Sequence, residues 1–407
     1  MQLTLNSRQL PRGWEIKYLD ELCENLDSKR VPITKSSRKS GNIPYYGASG
    51  IVDYVADYIF DEDLLLVSED GANLLARTYP IAFSITGKAW VNNHAHILRF
   101  KEKITQNFIE YYLNSISLEP YVTGMAQPKL NQKSLNSIAI PYPPLSEQKR
   151  IVAILDEAFE GIDRAIANTE KNLANSRELF ESYLNAIFTQ KGDDWVEKKL
   201  HSVVEPSCSL SYGIVQPGND YENGLPVVRP TDLTTKTINL SSLKRIDPLL
   251  ADSYKRTKLS GGELLVCVRG NTGIVGIAAD ELKGANVTRG IVPIRFEQSI
   301  VIQAFGYYML ISKIIQDQIK EKTYGTALMQ INIRDLKNIV LSFPEPDAQQ
   351  ILVEKLDRVE KETQSLEAIY RQKLAALNEL KQSILQKAFT GELTADTPKT
   401  VKEEIAA

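Results

Sequence analysis

Apolar residues recur every three or four positions over two long stretches, Pro141 to Gln190 and Ser342 to Gly391. In the second, Leu352, Leu356, Val359, Thr363, Leu366, Tyr370, Leu377, Ile384 and Ala388 line one helical face. In the first, Ile151, Leu155, Ala158, Ile162, Ile166, Leu173, Phe180, Tyr183 and Ile187 do so less regularly. An offset of about 201 positions lays Leu155-Asp156 on Leu356-Asp357 and Phe188-Thr189 on Phe389-Thr390. Pro143, Pro144 and Pro344 mark where neither helix has begun. Ser146 and Asp347 read as N-caps, with Gln350 completing a capping-box spacing, and Gly192 and Gly391 read as stops. Roughly 42 residues at 1.5 Å each make a rod of about 60 Å. A stripe of that length needs cover. The two helices are expected to pair with each other, the alternative being that each packs on its own globular half.

The segments before each rod alternate in another way. Short apolar runs (64–67, 81–85, 97–100; 264–268, 274–278, 291–296) are punctuated by Gly, Asn and Asp and predict a sheet with long loops. Residues 104–118 and 300–319 each predict one helix. These halves echo each other too. Trp14 through Leu19 returns as Trp195 through Leu200, LLLVSEDGAN as ELLVCVRGNT, HILRF as VPIRF, and GMAQPKLNQKSLNSIAIPYP as GTALMQINIRDLKNIVLSFP. The drifting offset implies loops of different length on a common frame. The expected boundaries are 1–145, a rod over 146–192, a second half over 193–343, a rod over 344–394 and a frayed tail over 395–407.

Composition changes this picture little. Across 407 residues the net charge is −3, which argues weakly against a nucleic-acid binder. Its distribution softens that objection. The two globular segments carry 15 basic against 15 acidic and 18 against 16 side chains, while the rods hold the acidic excess. Residues 28–40 hold Lys29, Arg30, Lys35, Arg38 and Lys39 with no acid. Cys23, Cys208 and Cys267 lie far apart with no C-x-x-C, as suits a reducing compartment. No apolar run is long enough to span a membrane, and the first residues hold no signal core, so a cytoplasmic protein is expected.

The chain lacks the usual catalytic signatures. There is no P-loop, no G-x-G-x-x-G after a strand, no H-E-x-x-H and no G-x-S-x-G. GNTGIVG (270–276) reads as a hairpin turn, and PYPPL (141–145) lacks the leading Asn or Asp of a DNA methyltransferase tetrapeptide. His94 and His96 alternate on one strand face without a further ligand nearby in sequence, so no metal is expected. Asp61, Glu62, Asp63, Glu69 and Asp70 read as a solvated acidic surface. The pattern points to a binder.

Two variable halves, each opening on a Trp segment and closing on a long helix, resemble the specificity subunit of type I restriction–modification systems. PPLSEQKRIVAILD (143–156), its echo PDAQQILVEKLD (346–357), the terminal AFTGELT (388–394), and IPYYGASGIVDY with WVNNHAHILRF carry that resemblance. It implies an α+β fold: two α/β target-recognition domains in tandem, each followed by a long helix, the helices pairing as an antiparallel coiled coil with pseudo-twofold symmetry. It further implies that each domain reads part of a split, asymmetric duplex DNA target, without catalysis or a cofactor of its own. Two methyltransferase subunits would dock on the helices with S-adenosylmethionine, and two restriction subunits would join with ATP and magnesium. Phe159 and Phe180 are candidate seats for the methyltransferase subunits.

Such a reader needs cations for phosphates, and Arg, Lys, Asn or Gln for base edges. The first half offers Lys29, Arg30, Arg38 and Lys39 for phosphates, and Tyr45, Tyr46, Ser49, Asn73, Arg77, Asn92, Asn93 and His94 for bases. The second offers Tyr212, Gln216, Arg229, Thr231, Arg269, Asn271, Thr288 and Arg289. Lys129 and Gln330, just before the rods, are further phosphate candidates. The competing readings are a self-contained DNA methyltransferase or nuclease, and a coiled-coil adaptor whose globular halves bind protein.

Overall fold

The computed structural model describes residues 10–124, 127–241, 243–326 and 328–395. The expected frayed tail lies outside them beyond Ala395. Two compact units form, Met1–Thr169 with Gln372–Ala407, and Glu170–Arg371. The dividing lines fall inside the two long helices, Leu145–Thr189 and Pro346–Thr390, so each helix contributes a part to both units.

In the first unit the strands are β1 (Glu15–Tyr18), β2 (Glu24–Asn25), β3 (Ser40–Gly47), β4 (Gly50–Val55), β5 (Phe60–Asp61), β6 (Leu64–Ser68), β7 (Ala82–Ile85), β8 (Lys88–Val91), β9 (Ala95–Arg99) and β10 (Ala139–Tyr142). β1 pairs antiparallel with β10, Glu15 opposite Tyr142, so the Trp14 segment clasps the strand that feeds the first long helix. Two four-stranded sheets follow, in orders β2-β9-β6-β7 and β4-β3-β8-β5. β6 is buried along its whole length, which explains its unbroken Leu-Leu-Leu-Val run. The helix Lys103–Ser115 packs Phe108, Tyr112 and Leu113 into a core completed by Leu155, Phe159, Leu385 and Phe389. Phe389 meets the rings of Phe108 and Tyr112 edge-on, at 5.3 and 5.0 Å between centroids. Within this unit the long helices run in opposite directions. Lys381 donates to Asp163 at 2.8 Å, and Thr394 donates to Glu147.

The second unit repeats the plan with β11 (Val196–Lys199), β12 (Leu225–Val228), β13 (Thr237–Ile238), β14 (Lys244–Ile246), β15 (Leu264–Cys267), β16 (Val275–Ala278), β17 (Asn286–Val287), β18 (Ile291–Ile294) and β19 (Val340–Phe343). β11 clasps β19 as β1 clasps β10. The sheets run β14-β12-β17 and β13-β16-β15-β18. GNTG is the expected hairpin turn, with Gly270 and Gly273 at φ of 88° and 94°, a region open to glycine. Leu184, Phe188, Val353 and Leu356 from the long helices complete this unit's core. There Arg177 approaches Glu367 at 3.3 Å and Phe180 lies 6.2 Å from Tyr308, whose hydroxyl donates to Asp357 and Glu360. The helix segments again run antiparallel. Cover comes from both the partner helix and the domain cores.

Several expectations change. Ser146 and Asp347 are not caps, because the helices start earlier, at Leu145 and Pro346, with proline itself in the first turn of the second. The tethering at both starts falls to a glutamine one turn in. Gln148 is fully buried, donates to Pro143 O and accepts from the Thr105 hydroxyl. Gln349 is fully buried, donates to the carbonyls of Ile300 and Pro344, and accepts from Ile302 N. Gly391 follows its helix at φ 80°, whereas Gly192 stands three residues beyond Thr189 without a positive φ. The helix expected over 300–319 is two, Gln303–Ile311 and Lys313–Glu321. They are broken at buried Ser312 (ψ 147°), and Asn185 Oδ1 accepts from Lys313 N at the new start. Phe159 is buried against Tyr111 and Phe180 is half-buried against Tyr308, so neither is an open seat. The exposed large apolar residues of the long helices are instead Leu145, Leu179, Ile351, Leu366, Ile369 and Leu380.

Candidate nucleic-acid interface

In each unit one end of the sheet gathers loops from distant parts of the chain. In the first, β6 ends at Ser68 and runs through Glu69 and Asp70 to Gly71 (φ 111°). Glu69 N donates to His94 O at 2.9 Å, which sets the β8–β9 turn beside it. Leu130 N donates to Glu69 O, and Gly71 N to Pro128 O, which holds the segment from Pro128 to Leu130 beside them. Ser68 Oγ donates to Ala48 O at 2.5 Å and brings in the β3–β4 turn, where Ser49 donates to the Tyr79 hydroxyl. Ser49, Asn92, Asn93, His94 and Lys129 thus meet at one corner, together with Asp70 and Tyr79.

A buried ionic cluster supports that corner from below. His96 (1% exposed) places Nδ1 2.5 Å from Asp27 Oδ2 and Nε2 2.7 Å from Leu130 O. Arg30 pairs with Glu69 and donates to Ala95 O at 3.0 Å, and Lys129 lies 3.2 Å from Glu69. Burial alone raises the Asp27 carboxyl, but the hydrogen bond and charge of His96, the Ile97 amide and Arg30 outweigh it and hold the group below its usual range. Glu69 is lowered likewise, burial being overcome by Arg30, His96 and Lys129. Asp27, Glu69 and His96 could together reach a metal ion. Both nitrogens of His96 are engaged, however, and both carboxylates have cationic partners, so the site fits a structural ion-pair network better. Glu69 therefore belongs to the interior, not to a solvated acidic surface, and Arg30 is a fastening, not a free phosphate contact.

Other candidates are committed elsewhere. Tyr45 is 1% exposed beneath the Arg38 guanidinium (4.3 Å), and Arg38 itself pairs with Asp53 at 2.9 Å. Tyr46 is half-buried against Phe83. Asn73 is buried and closes its own loop through Thr78 and Tyr79. Arg77, at φ 53°, donates to the carbonyls of Leu113 and Ile116. Lys29 and Lys39 are exposed, on the segment before β3.

The second unit builds the same corner. Val268 N donates to Gly290 O at 2.7 Å, Ile331 N to Val268 O, and Gly270 N to Met329 O. Arg269, Asn271, Thr288, Arg289 and Gln330 converge there, with Thr288 buried and Arg289 exposed. Arg289 N donates to Ile214 O, which brings the loop of exposed Tyr212 and Gln216 alongside. Arg229 is pinned by Asp232 at 2.8 Å, and exposed Thr231 follows Pro230, which packs over Gly290. Asp70 and Tyr79 were missed by sequence reasoning. Asp70 was nevertheless legible as the position that the repeat lays on Arg269.

The family model described as the type I restriction modification DNA specificity domain matches residues 11–174 and again 192–376. The chain belongs to this family. Its two matches cover both units' recognition segments and much of the long helices. A putative type I restriction enzyme specificity subunit of Haemophilus influenzae is 30% identical over 367 residues, 88% of this chain and 91% of that one. The EcoBI specificity subunit of Escherichia coli is 27% identical, over 73% of this chain and 67% of its own length. Among solved structures, a chain from work on complex assembly and conformational transition of the type I R-M system matches with a TM-score of 0.70 at 20% identity. That match covers 94% of this chain and 99% of the other and shows a shared fold. The type I family is thus a specificity-subunit family, and the adaptor reading is not favoured. Among the described residues no helix is long and apolar enough to cross a membrane.

Proposed function

We propose that this chain is the sequence-reading, non-catalytic specificity subunit of a type I restriction–modification complex. Each unit reads one half of a split duplex target, and the long helices set the gap between the halves. The observation that carries this reading is the repeated corner. One backbone frame occurs twice, and each copy gathers polar side chains from loops far apart in sequence. The side chains differ between the copies, so the two half-sites differ and the target is asymmetric. Lys29, Lys35 and Lys39 in the first unit supply charge for phosphates.

Two methyltransferase subunits dock on the long helices and bring S-adenosylmethionine, and two restriction subunits join them with ATP and magnesium. Exposed Leu179, Leu366 and Ile369 support a docking role for the helices. The complex works in the cytoplasm. The test is adenine-methylation mapping of DNA from cells expressing this chain with its methyltransferase subunit, against cells lacking this chain. A split motif that depends on the chain is expected. No motif, with the partner active and bound, would refute the reading.

A further inference from the structure

We infer that the two domains read opposite hydrogen-bond polarity at one equivalent point. Asp70 accepts from a base amino group, cytosine N4 or adenine N6, and Arg269 donates to guanine O6 and N7. The inference rests on the DNA-reading function proposed above and names the chemistry of its two sites.

The equivalence is set by backbone pairing. Val67 stands opposite His96, and Val266 opposite Val292. Asp70 bridges to Lys129 and Arg269 to Gln330, while Thr123 and Tyr324 bridge to those same partners. The amides of Glu69 and Val268 donate to His94 O and Gly290 O, and those of Gly71 and Gly270 to Pro128 O and Met329 O. Asp70 and Arg269 therefore leave the same frame at the same place.

Their surroundings have diverged to suit opposite charges. In the first unit Glu69 is absorbed by Arg30 and Lys129, which leaves Asp70, its side chain 19% exposed, as the carboxylate outside that cluster. His94 Nδ1, 2.8 and 3.1 Å from the two carboxylate oxygens, fixes its orientation, and the remaining lone pairs are free to accept. A carboxylate cannot donate, so it selects a base edge that presents an amino group. In the second unit the acids and histidine are gone: Val268 replaces Glu69, Val292 replaces His96 and Gly290 replaces His94. Arg269 forms no ion pair among the described residues, and its Nε is buried without a hydrogen-bond partner. Exposed Arg289 stands on the adjoining turn. A guanidinium offers only donors, in a fork that matches the two acceptors of guanine.

The test uses the full chain with its methyltransferase subunit and maps methylated adenines genome-wide. Arg269→Gln is expected to relax one guanine position of one half-site about tenfold or more and leave the other half-site unchanged. Arg269→Lys, which keeps the charge without the fork, relaxes the same position. Asp70→Asn alters the preference at one cytosine or adenine of the other half-site, and His94→Gln weakens that same position by freeing the carboxylate. If a harsher variant yields no complex, Arg269→Lys and His94→Gln carry the test. Methylation lowered evenly across all sequences would mark these residues as backbone contacts and overturn the inference. So would an unchanged motif in variants that bind and methylate. A wild-type complex with no split motif would instead sink the proposed function itself.

Discussion

Replacing Gln349 by Ala removes three hydrogen bonds at once: from Ile302 N at 2.9 Å, and to the carbonyls of Ile300 and Pro344 at 2.8 Å each. The side chain is fully buried, so one amide and two carbonyls lose their partner in the interior. A buried group left unpaired costs about 1–3 kcal/mol, and the vacated, polar-walled space admits water that restores part of the loss. With one group fully orphaned and the others partly rehydrated, the expected destabilisation is about 2–4 kcal/mol. For a unit of this size that corresponds to a melting shift of roughly 4–16 °C. The assay is thermal unfolding of the full chain by calorimetry. Gln349→Met fills the space without bonding, so it must also melt well below the parent. Gln148→Ala, which breaks two bonds in the first unit, must lower the melting temperature by less. A shift under about 2 °C for Gln349→Ala, or a Met variant that melts like the parent, would refute the tethering argument.

Other outcomes follow from the same physics. Asp27 and Glu69 have lowered folded-state pKa values, so their stabilisation is complete above the ordinary carboxylate range near ~4 and is lost as pH falls through the folded values. Acid titration of the first unit should show this loss, and Asp27→Asn should flatten it; an unchanged acid limb would count against the network. A Cβ at Gly306 would run into the Phe296 ring, so Gly306→Ala should cost about 1–3 kcal/mol in denaturant unfolding, and a neutral result would mean that the ring yields freely. One helical turn added to the long helices, about 5.4 Å, should change the spacer of the methylated motif and leave both half-sites intact. Altered half-site bases would refute the ruler.

The buried cluster shows why ionic networks are poorly legible in a sequence. Asp27 and His96 are 69 residues apart, and nothing local announces their contact. The second unit places Val268 and Val292 at the positions of Glu69 and His96, so the fold itself does not require these charges. A well-packed apolar pair serves the same frame. Glu69 lies in an acidic run that suggested solvation, and its burial follows only from Arg30 and Lys129 arriving from elsewhere. Arg30, Arg38, Tyr45, Asn73 and Arg77 matched the chemistry of DNA readers in kind, yet each is turned inward or paired. Residue type does not say which way a side chain points.

What the sequence determined by itself was whatever depends on short-range period and on repetition. The 3–4 spacing of apolar residues, the prolines before each rod and the two echoing halves specified long helices and a duplicated frame, because those signals sit within a few residues of each other. The resemblance carried by the same motifs then indicated the family. Only the tertiary structure decided where each helix starts, what covers its stripe, and which candidates share a corner. Those outcomes depend on contacts between segments tens to hundreds of residues apart. Asp70 and Arg269 are one position on one frame, and the backbone pairings around them established it.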